Sequence, residues 1–244
     1  MKLSIVIPAH NEEENISQVI EQVEEKIKFL FDLIVVNDHS SDRTAEIVSG
    51  LTKRYGNLIM IENRLKSGFA NAIKTGLLSA RTEVAVPVMG DLCDDLDSVP
   101  LMFKKIVEEG FDVVCGSRYI KGGARLGGSR VKGFFSYFVG RTMAMFTGIP
   151  THDVANAFKM YRREIMDSVN IESTGFEVSM EIALKAYFKG FKVTEIPTVW
   201  KERERGKSTF KMLNLTPNYF RWYWWAARKG LGRLFCSFRA RNDK

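Results

Sequence analysis

The sequence has no apolar run long enough to cross a bilayer. Its longest stretch without Asp, Glu, Lys or Arg is eleven residues, Thr142 to His152, against the roughly 20 that a spanning helix requires. No transmembrane helix is expected. The N-terminal MKLSIVIP holds one Lys and a short apolar run, cut off by Pro8, His10 and a group of Glu residues, so no signal peptide is expected either. Cysteine is scarce. Cys93, Cys115 and Cys236 are odd in number and widely spaced, which suits neither a disulfide framework nor a zinc site. A reducing cytoplasm is the expected setting. Neither G-x-G-x-x-G nor a P-loop occurs, which removes support for dinucleotide oxidoreductases and NTPases.

Acidic residues are also rare towards the C-terminus. Residues 201–244 hold 12 of the 36 basic residues but only 3 of the 29 acidic ones, a balance of +9. The first 200 residues keep 24 basic and 26 acidic, a balance of −2. Such asymmetry predicts an anionic partner for the tail; a solvated tail is the plain alternative. Otherwise the composition, 45% hydrophobic and 27% charged, is that of a globular protein. At roughly 150 residues per domain the length allows one large or two small domains.

Strand-like runs recur at 3–7, 33–37, 58–61, 84–89 and 113–116, and again at 191–196. They are continuous and rich in Val and Ile, as in parallel strands covered on both faces. Between them, Ile16, Val19, Ile20, Val23, Ile27 and Leu30 keep helical spacing; Ala45, Val48 and Leu51 predict a second helix, and Ile73, Leu77 and Ala80 a third. This alternation predicts a doubly wound α/β domain, whose ligands bind beyond the carboxyl ends of the strands. Those ends read Pro8-Ala9-His10-Asn11-Glu12, Asn37-Asp38-His39-Ser40-Ser41-Asp42, Gly90-Asp91-Leu92-Cys93-Asp94-Asp95 and Gly116-Ser117-Arg118-Tyr119. Three carry carboxylates and the fourth an Arg. Ser41 or Asp42 can cap the second helix, but capping does not account for three acidic strand ends together.

From 120 to 148 the alternation stops. Gly122, Gly123, Gly127 and Gly128 flank Arg125, and Phe134, Phe135, Tyr137, Phe138, Met143, Met145 and Phe146 crowd a helix-like stretch. Two readings stand: a loop with a core helix, or a mobile basic loop leading into an apolar groove. Further on, Pro217 suits the first turn of a final helix. On its wheel Phe220, Trp224, Ala227, Leu231, Phe235 and Phe238 share one face, with Arg221, Arg228, Lys229, Arg233 and Arg239 largely off it. With Tyr219, Trp222, Tyr223 and Trp225 added, this reads as a basic amphipathic helix for an anionic membrane surface. Packing on the domain, or an oligomer that hides the aromatics, is the alternative. Nucleic acid, whose bases could stack on such aromatics, is the least favoured partner, and none is expected. Gly230 and Gly232 predict a break in the helix.

The segments SIVIPAHNEEENI, VVNDHSSDRT, NRLKSGFANAIKTGL, MGDLCDD, GSRYIKGG, GFEVSMEIALKA and EIPTVWKERERGKSTFK follow one another in the chain. In this order they resemble polyprenyl-phosphate glycosyltransferases of the dolichol-phosphate mannose synthase type, which are inverting enzymes of GT-A fold. The resemblance implies a Rossmann-like, mostly parallel sheet flanked by helices over 1–211, with a basic aromatic membrane-associating tail at 212–244. It implies transfer of a sugar from a nucleotide diphosphate-sugar to a dolichyl or undecaprenyl phosphate, by a protein peripheral on the cytoplasmic membrane face.

By the same resemblance Pro8, His10, Glu12 and Asp38 line the nucleotide pocket, with Gly68, Gly90, Asp91 and Lys207 in the donor-binding set. Asp91, Arg118, Arg130 and Arg203 are the implied catalytic group, the arginines holding the diphosphate or the acceptor phosphate; Ser208 and Lys211 extend that strip. Glu177 and Glu181 share a helix face, Glu181 matching a family acid, and Asp153 matches a recurrent family position. The implied cofactor is Mg²⁺ or Mn²⁺ at Asp91, the second acid of a D-x-D motif. The first acid is replaced by Met89, and a thioether is a poor ligand for a hard cation. Asp94 is the expected substitute, or Asp95, unless these only cap the next helix. Two other readings remain. A sugar-hydroxyl acceptor needs a general base, in related enzymes often a Glu-Asp dipeptide, which is absent here. The altered D-x-D also leaves a non-catalytic nucleotide-sugar binder.

Overall fold

The computed structural model describes residues 1–203 and 212–242, without the side chains of 212–216 and 233–242. The Val/Ile-rich runs form β1 (Leu3–Ala9), β2 (Phe31–Asn37), β3 (Leu58–Glu62), β4 (Val84–Pro87) and β5 (Val113–Ser117). The helical stripes between them form α1 (Ile16–Lys26), α2 (Thr44–Leu51), α3 (Phe69–Ser79) and α4 (Val99–Val107). Two later strands, β7 (Lys159–Arg162) and β8 (Val193–Pro197), complete a seven-stranded sheet of order β3-β2-β1-β4-β7-β5-β8. Neighbours are parallel except at β7, which runs antiparallel to β4 and β5. The expected α/β architecture is present.

The sheet separates two apolar layers. One holds Ile16, Val19, Ile20, Val23, Val48, Met102 and Ile106 from α1, α2 and α4. The other holds Ile73 and Leu77 of α3 together with residues of α5 (Arg130–Thr147), α6 (Arg163–Ser168), α7 (Val178–Phe188) and α8 (Met212–Asn242). Trp222 and Ala226 of α8 belong to this second layer, and Trp222 Nε1 donates to Ser173 Oγ at 2.8 Å. The start of α8 is therefore packed on the domain.

Several details differ from expectation. Helix α1 stops at Lys26, leaving Leu30 exposed, and β4 stops at Pro87, before Met89. Pro217 lies inside α8, beyond its first turn. Gly230 and Gly232 do not break α8. Gly230 is instead a crossing point, since a Cβ there would overlap the carbonyl of Phe146 on α5; only glycine permits so close an approach. The apolar face expected on α8 is divided: Phe220, Trp224 and Leu231 are exposed while Ala227 is buried, and Phe235 and Phe238 lie outside the described side chains. The reading of 130–147 as a core helix is overturned. Only Gly140, Met143 and Thr147 of α5 are buried, whereas Phe134 and Met145 are 63% and 66% exposed. The Gly-rich segment before it forms β6 (Ala124–Leu126), paired in parallel with β9 (Val199–Lys201).

Candidate active site

The loops after β1 and β2 are bonded into one wall. The Asp38 amide donates to Ala9 O at 2.8 Å, and His10 Nδ1 donates to Asp38 O at 2.6 Å. The Glu12 amide donates to Thr44 Oγ1 at 2.9 Å, while Asp42 Oδ1 accepts from the Thr44 amide at the start of α2 at 2.9 Å. Asp38 is buried, and its carboxylate receives Asn63 Nδ2 at 2.6 Å, the Gly68 amide at 2.8 Å and Ser67 Oγ at 3.2 Å. In this structure it anchors the loop that leads into α3. Asn63 and Ser67 lie in the segment NRLKSGFANAIKTGL but show no role there, because only the fold brings them to Asp38.

Beyond β4 the chain turns sharply at Gly90, where a Cβ would sit 3.3 Å from Pro8 O. Asp94 Oδ2 accepts from the Met89 amide at 2.8 Å and Asp91 Oδ1 from the Cys93 amide at 3.2 Å. Asp95 caps the following turn through the Asp97 amide and also binds Ser98 Oγ at 2.7 Å. Burial, opposed by the Met89 amide and reinforced by Asp91, pushes the Asp94 carboxyl up to about 7. The other Asp91 oxygen, Oδ2, accepts from Arg203 Nη2 at 2.6 Å, and the same nitrogen lies 3.5 Å from Glu12 Oε1. Burial raises the Glu12 carboxyl above its ordinary value, and Asp91 adds to this. Glu12, Asp91 and Arg203, 191 residues apart at the extremes, thus meet at the carboxyl edge of β1 and β4.

Arg203 is delivered by a strap. Lys201 donates its amide to Cys93 O at 3.1 Å, and the Glu202 amide donates to Leu126 O at 2.9 Å. Glu202 Oε2 accepts from the Gly128 amide at 2.8 Å, and the Arg125 guanidinium lies 5.0 Å from the Trp200 ring centroid. The glycine segment and the chain before Arg203 are one unit. Three-residue strands so far apart leave no periodic signal.

Arg118, at the end of β5, is committed differently from Arg203. Its Nε and Nη2 donate to Asp153 Oδ2 and Oδ1 at 2.7 and 2.8 Å, and Nη2 also reaches Ser136 Oγ on α5 at 3.0 Å. Burial works against its charge, but Asp153 outweighs burial and holds the guanidinium above its ordinary value. Lys159 Nζ, also buried, donates to the carbonyls of Val154 and Asn156 beside that aspartate. Arg130 is exposed at the start of α5. Glu181 is consumed by the amides of Glu172 and Ser173 and by Lys185. Glu177 Oε1 accepts from the Gly175 amide at 3.1 Å, while its buried Oε2 has no hydrogen-bond partner among the described residues. Lys207, Ser208 and Lys211 lie outside the described residues.

The donors suit a hard divalent cation of the Mg²⁺ or Mn²⁺ kind. Such an ion needs only one or two protein carboxylates where substrate phosphates complete its shell. Asp91 would supply one, with Asp94 a second acid in the same turn. Among the described residues no three His, Cys, Asp or Glu side chains are grouped to hold an ion by themselves.

Known proteins resemble this chain in sequence and in fold. The model of "Glycosyl transferase family 2" matches residues 4–169. The chain is 30% identical over 220 residues to a dolichol-phosphate mannosyltransferase of Pyrococcus furiosus, covering 86% of this chain but only 60% of that protein. It is 27% identical to a polyprenol monophosphomannose synthase of Mycolicibacterium smegmatis, covering 94% and 88%. Among solved structures, glucosyl-3-phosphoglycerate synthase of Mycobacterium tuberculosis, crystallised with Mn²⁺, UDP-glucose and phosphoglyceric acid, superposes with a TM-score of 0.71 at 16% identity, covering 93% and 79%. The likeness extends to the GT-A fold.

Proposed function

The chain belongs to glycosyl transferase family 2, and we propose that it moves a sugar from a nucleotide diphosphate-sugar to a polyprenyl phosphate at the cytoplasmic face of a membrane. One observation carries the lipid acceptor. Arg118 at the strand ends bonds to Ser136 of α5, the helix whose Phe134, Phe135 and Phe138 stand exposed. Site and apolar surface are joined at that contact. Residues 121–152 hold five Lys and Arg and no Asp or Glu, and 212–242 hold six and none. Both segments suit an anionic lipid surface, where each basic residue contributes about 1 kcal/mol. The catalytic unit remains 1–211 and the membrane-associating tail 212–244 in this reading.

The donor would lie against Pro8, His10, Glu12, Asp38, Gly68 and Gly90, and Lys207 belongs to the same proposed donor-binding set. Asp91, with Asp94, would hold Mg²⁺ or Mn²⁺, an ion that when bound offsets the charge of the diphosphate leaving group. Arg118, Arg130 and Arg203 would hold the diphosphate or the acceptor phosphate with their positive charge. The acceptor needs little else. A phosphate monoester has a second pKa near 6, so at pH 7 roughly nine in ten are dianions and no base must remove a proton. Planar guanidinium groups orient such a nucleophile and reduce its repulsion from the donor. The β6–β9 strap over the site would exclude water that hydrolyses the donor.

The unpartnered Glu177 Oε2 favours one second reading, a sugar-hydroxyl acceptor with Glu177 as base. A panel of nucleotide sugars offered with membrane lipid extract, with products identified by mass spectrometry, separates the two. A glycosylated polyprenyl phosphate is expected. Transfer only to a non-phosphorylated sugar would establish the second reading, and no turnover with any donor would leave a binder.

A further inference from the structure

The proposed donor site has an internal cation of its own. Arg203 Nη2 is 2.6 Å from Asp91 Oδ2 and 3.5 Å from Glu12 Oε1, and the side chain is half-buried beside the two acids. A charge in that position neutralises the same oxygen that a metal ion would use. One carboxylate oxygen cannot serve both at full strength, because two cations at contact distance from it repel each other.

We propose that Arg203 is the counter-ion that a divalent cation must displace from Asp91, so that metal binding and release of the strap are one linked equilibrium. The inference rests on the metal assignment made above for Asp91. Arg203 follows directly on Glu202 and Lys201, whose amides are bonded to Leu126 O and Cys93 O. Movement of the guanidinium off Asp91 therefore pulls on both of these bonds and on the Gly128 contact to Glu202. The displaced guanidinium then faces the diphosphate that arrives with the metal and stays near Glu12. By reciprocity, whatever weakens the Arg203 contact tightens metal binding by the same factor. Without ligands, the guanidinium lies against both carboxylates. Its departure makes the strap's position depend on what occupies Asp91.

The test is a Mn²⁺ titration of the ligand-free full chain, following free Mn²⁺ by electron paramagnetic resonance. Arg203→Met should bind Mn²⁺ about tenfold more tightly than the wild type, within the usual range of such couplings. Arg203→Lys, which keeps the charge, should stay near the wild type, and Asp91→Asn should lose binding. Hydrogen exchange on the wild type should show the amides of Glu202 and Gly128 opening when Mn²⁺ is added. Equal or weaker binding by Arg203→Met, with Asp91→Asn still defective, would overturn the displacement while leaving the metal assignment standing. Unchanged exchange at Glu202 and Gly128 would overturn the coupling to the strap. If neither the wild type nor Arg203→Met binds Mn²⁺, the displacement and the metal assignment fall together.

Discussion

Arg118 and Asp153 form a two-pronged ion pair, Nε to Oδ2 at 2.7 Å and Nη2 to Oδ1 at 2.8 Å, with Asp153 fully buried. A pair so enclosed is expensive to break from one side, since the remaining charge has neither water nor partner. Asp153→Asn is expected to lower unfolding free energy by about 3–5 kcal/mol, measured by urea denaturation. The double replacement Arg118→Met/Asp153→Leu should lose clearly less. Equal losses would show that the pair's charges are not what the fold depends on.

Asp91→Asn tests the proposed metal and donor site. Loss of a charged ligand should reduce turnover at least ~100-fold, about 2.7 kcal/mol of transition-state stabilisation, with the thermal midpoint nearly unchanged. Near wild-type turnover in excess metal would remove Asp91 from the site.

The two acids near α7 should separate in their effects. Glu181 is enclosed by two amides and Lys185, so Glu181→Gln should destabilise the fold by about 1–3 kcal/mol. Glu177→Gln should leave transfer to a phosphate acceptor within a few-fold of the wild type. Abolished turnover with donor binding intact would make Glu177 the base and the acceptor a hydroxyl.

Membrane association should depend on exposed rings. Replacing Phe134, Phe138, Phe220 and Trp224 by Ser is expected to reduce co-sedimentation with anionic vesicles at least tenfold without lowering stability, because each is half-exposed or more. Truncation after Asn214 should behave otherwise. It removes Trp222 and Ala226 from the core, and loss of a large buried aromatic costs about 3–5 kcal/mol. A truncated chain as stable as the full one would show that α8 is dispensable to the fold.

The parts legible in the sequence were those written in local pattern. Runs such as 3–7 and 33–37 had to be buried parallel strands, and the acids that follow them had to sit at strand ends. Strand β7 was not legible, because KMYR is short and its buried Lys159 is held by backbone carbonyls that only the folded loop supplies. The partners of Arg118 and Asp38 were hidden for the same reason. Position after a strand gave their place, but Asp153, Ser136 and Asn63 reach them only across the fold. Helix α5 was ambiguous because aromatic residues read as core. Its inward stripe, Gly140, Met143 and Thr147, is narrow, which leaves the rings outside.

That narrow inward stripe sets a height. Arg118 touches α5 at Ser136, while Phe134 and Phe138 stand exposed on the same helix, so one helix thickness, about 10 Å, separates them. A bilayer supporting those rings would lie that far below the guanidinium. The phosphate of an acceptor must then climb out of the headgroup layer, drawing its first isoprene units with it. The carbons beyond would stay in the lipid and contribute anchorage rather than chemistry, so a short-chain, water-soluble polyprenyl phosphate should turn over at a comparable maximal rate once its concentration compensates for the lost anchor.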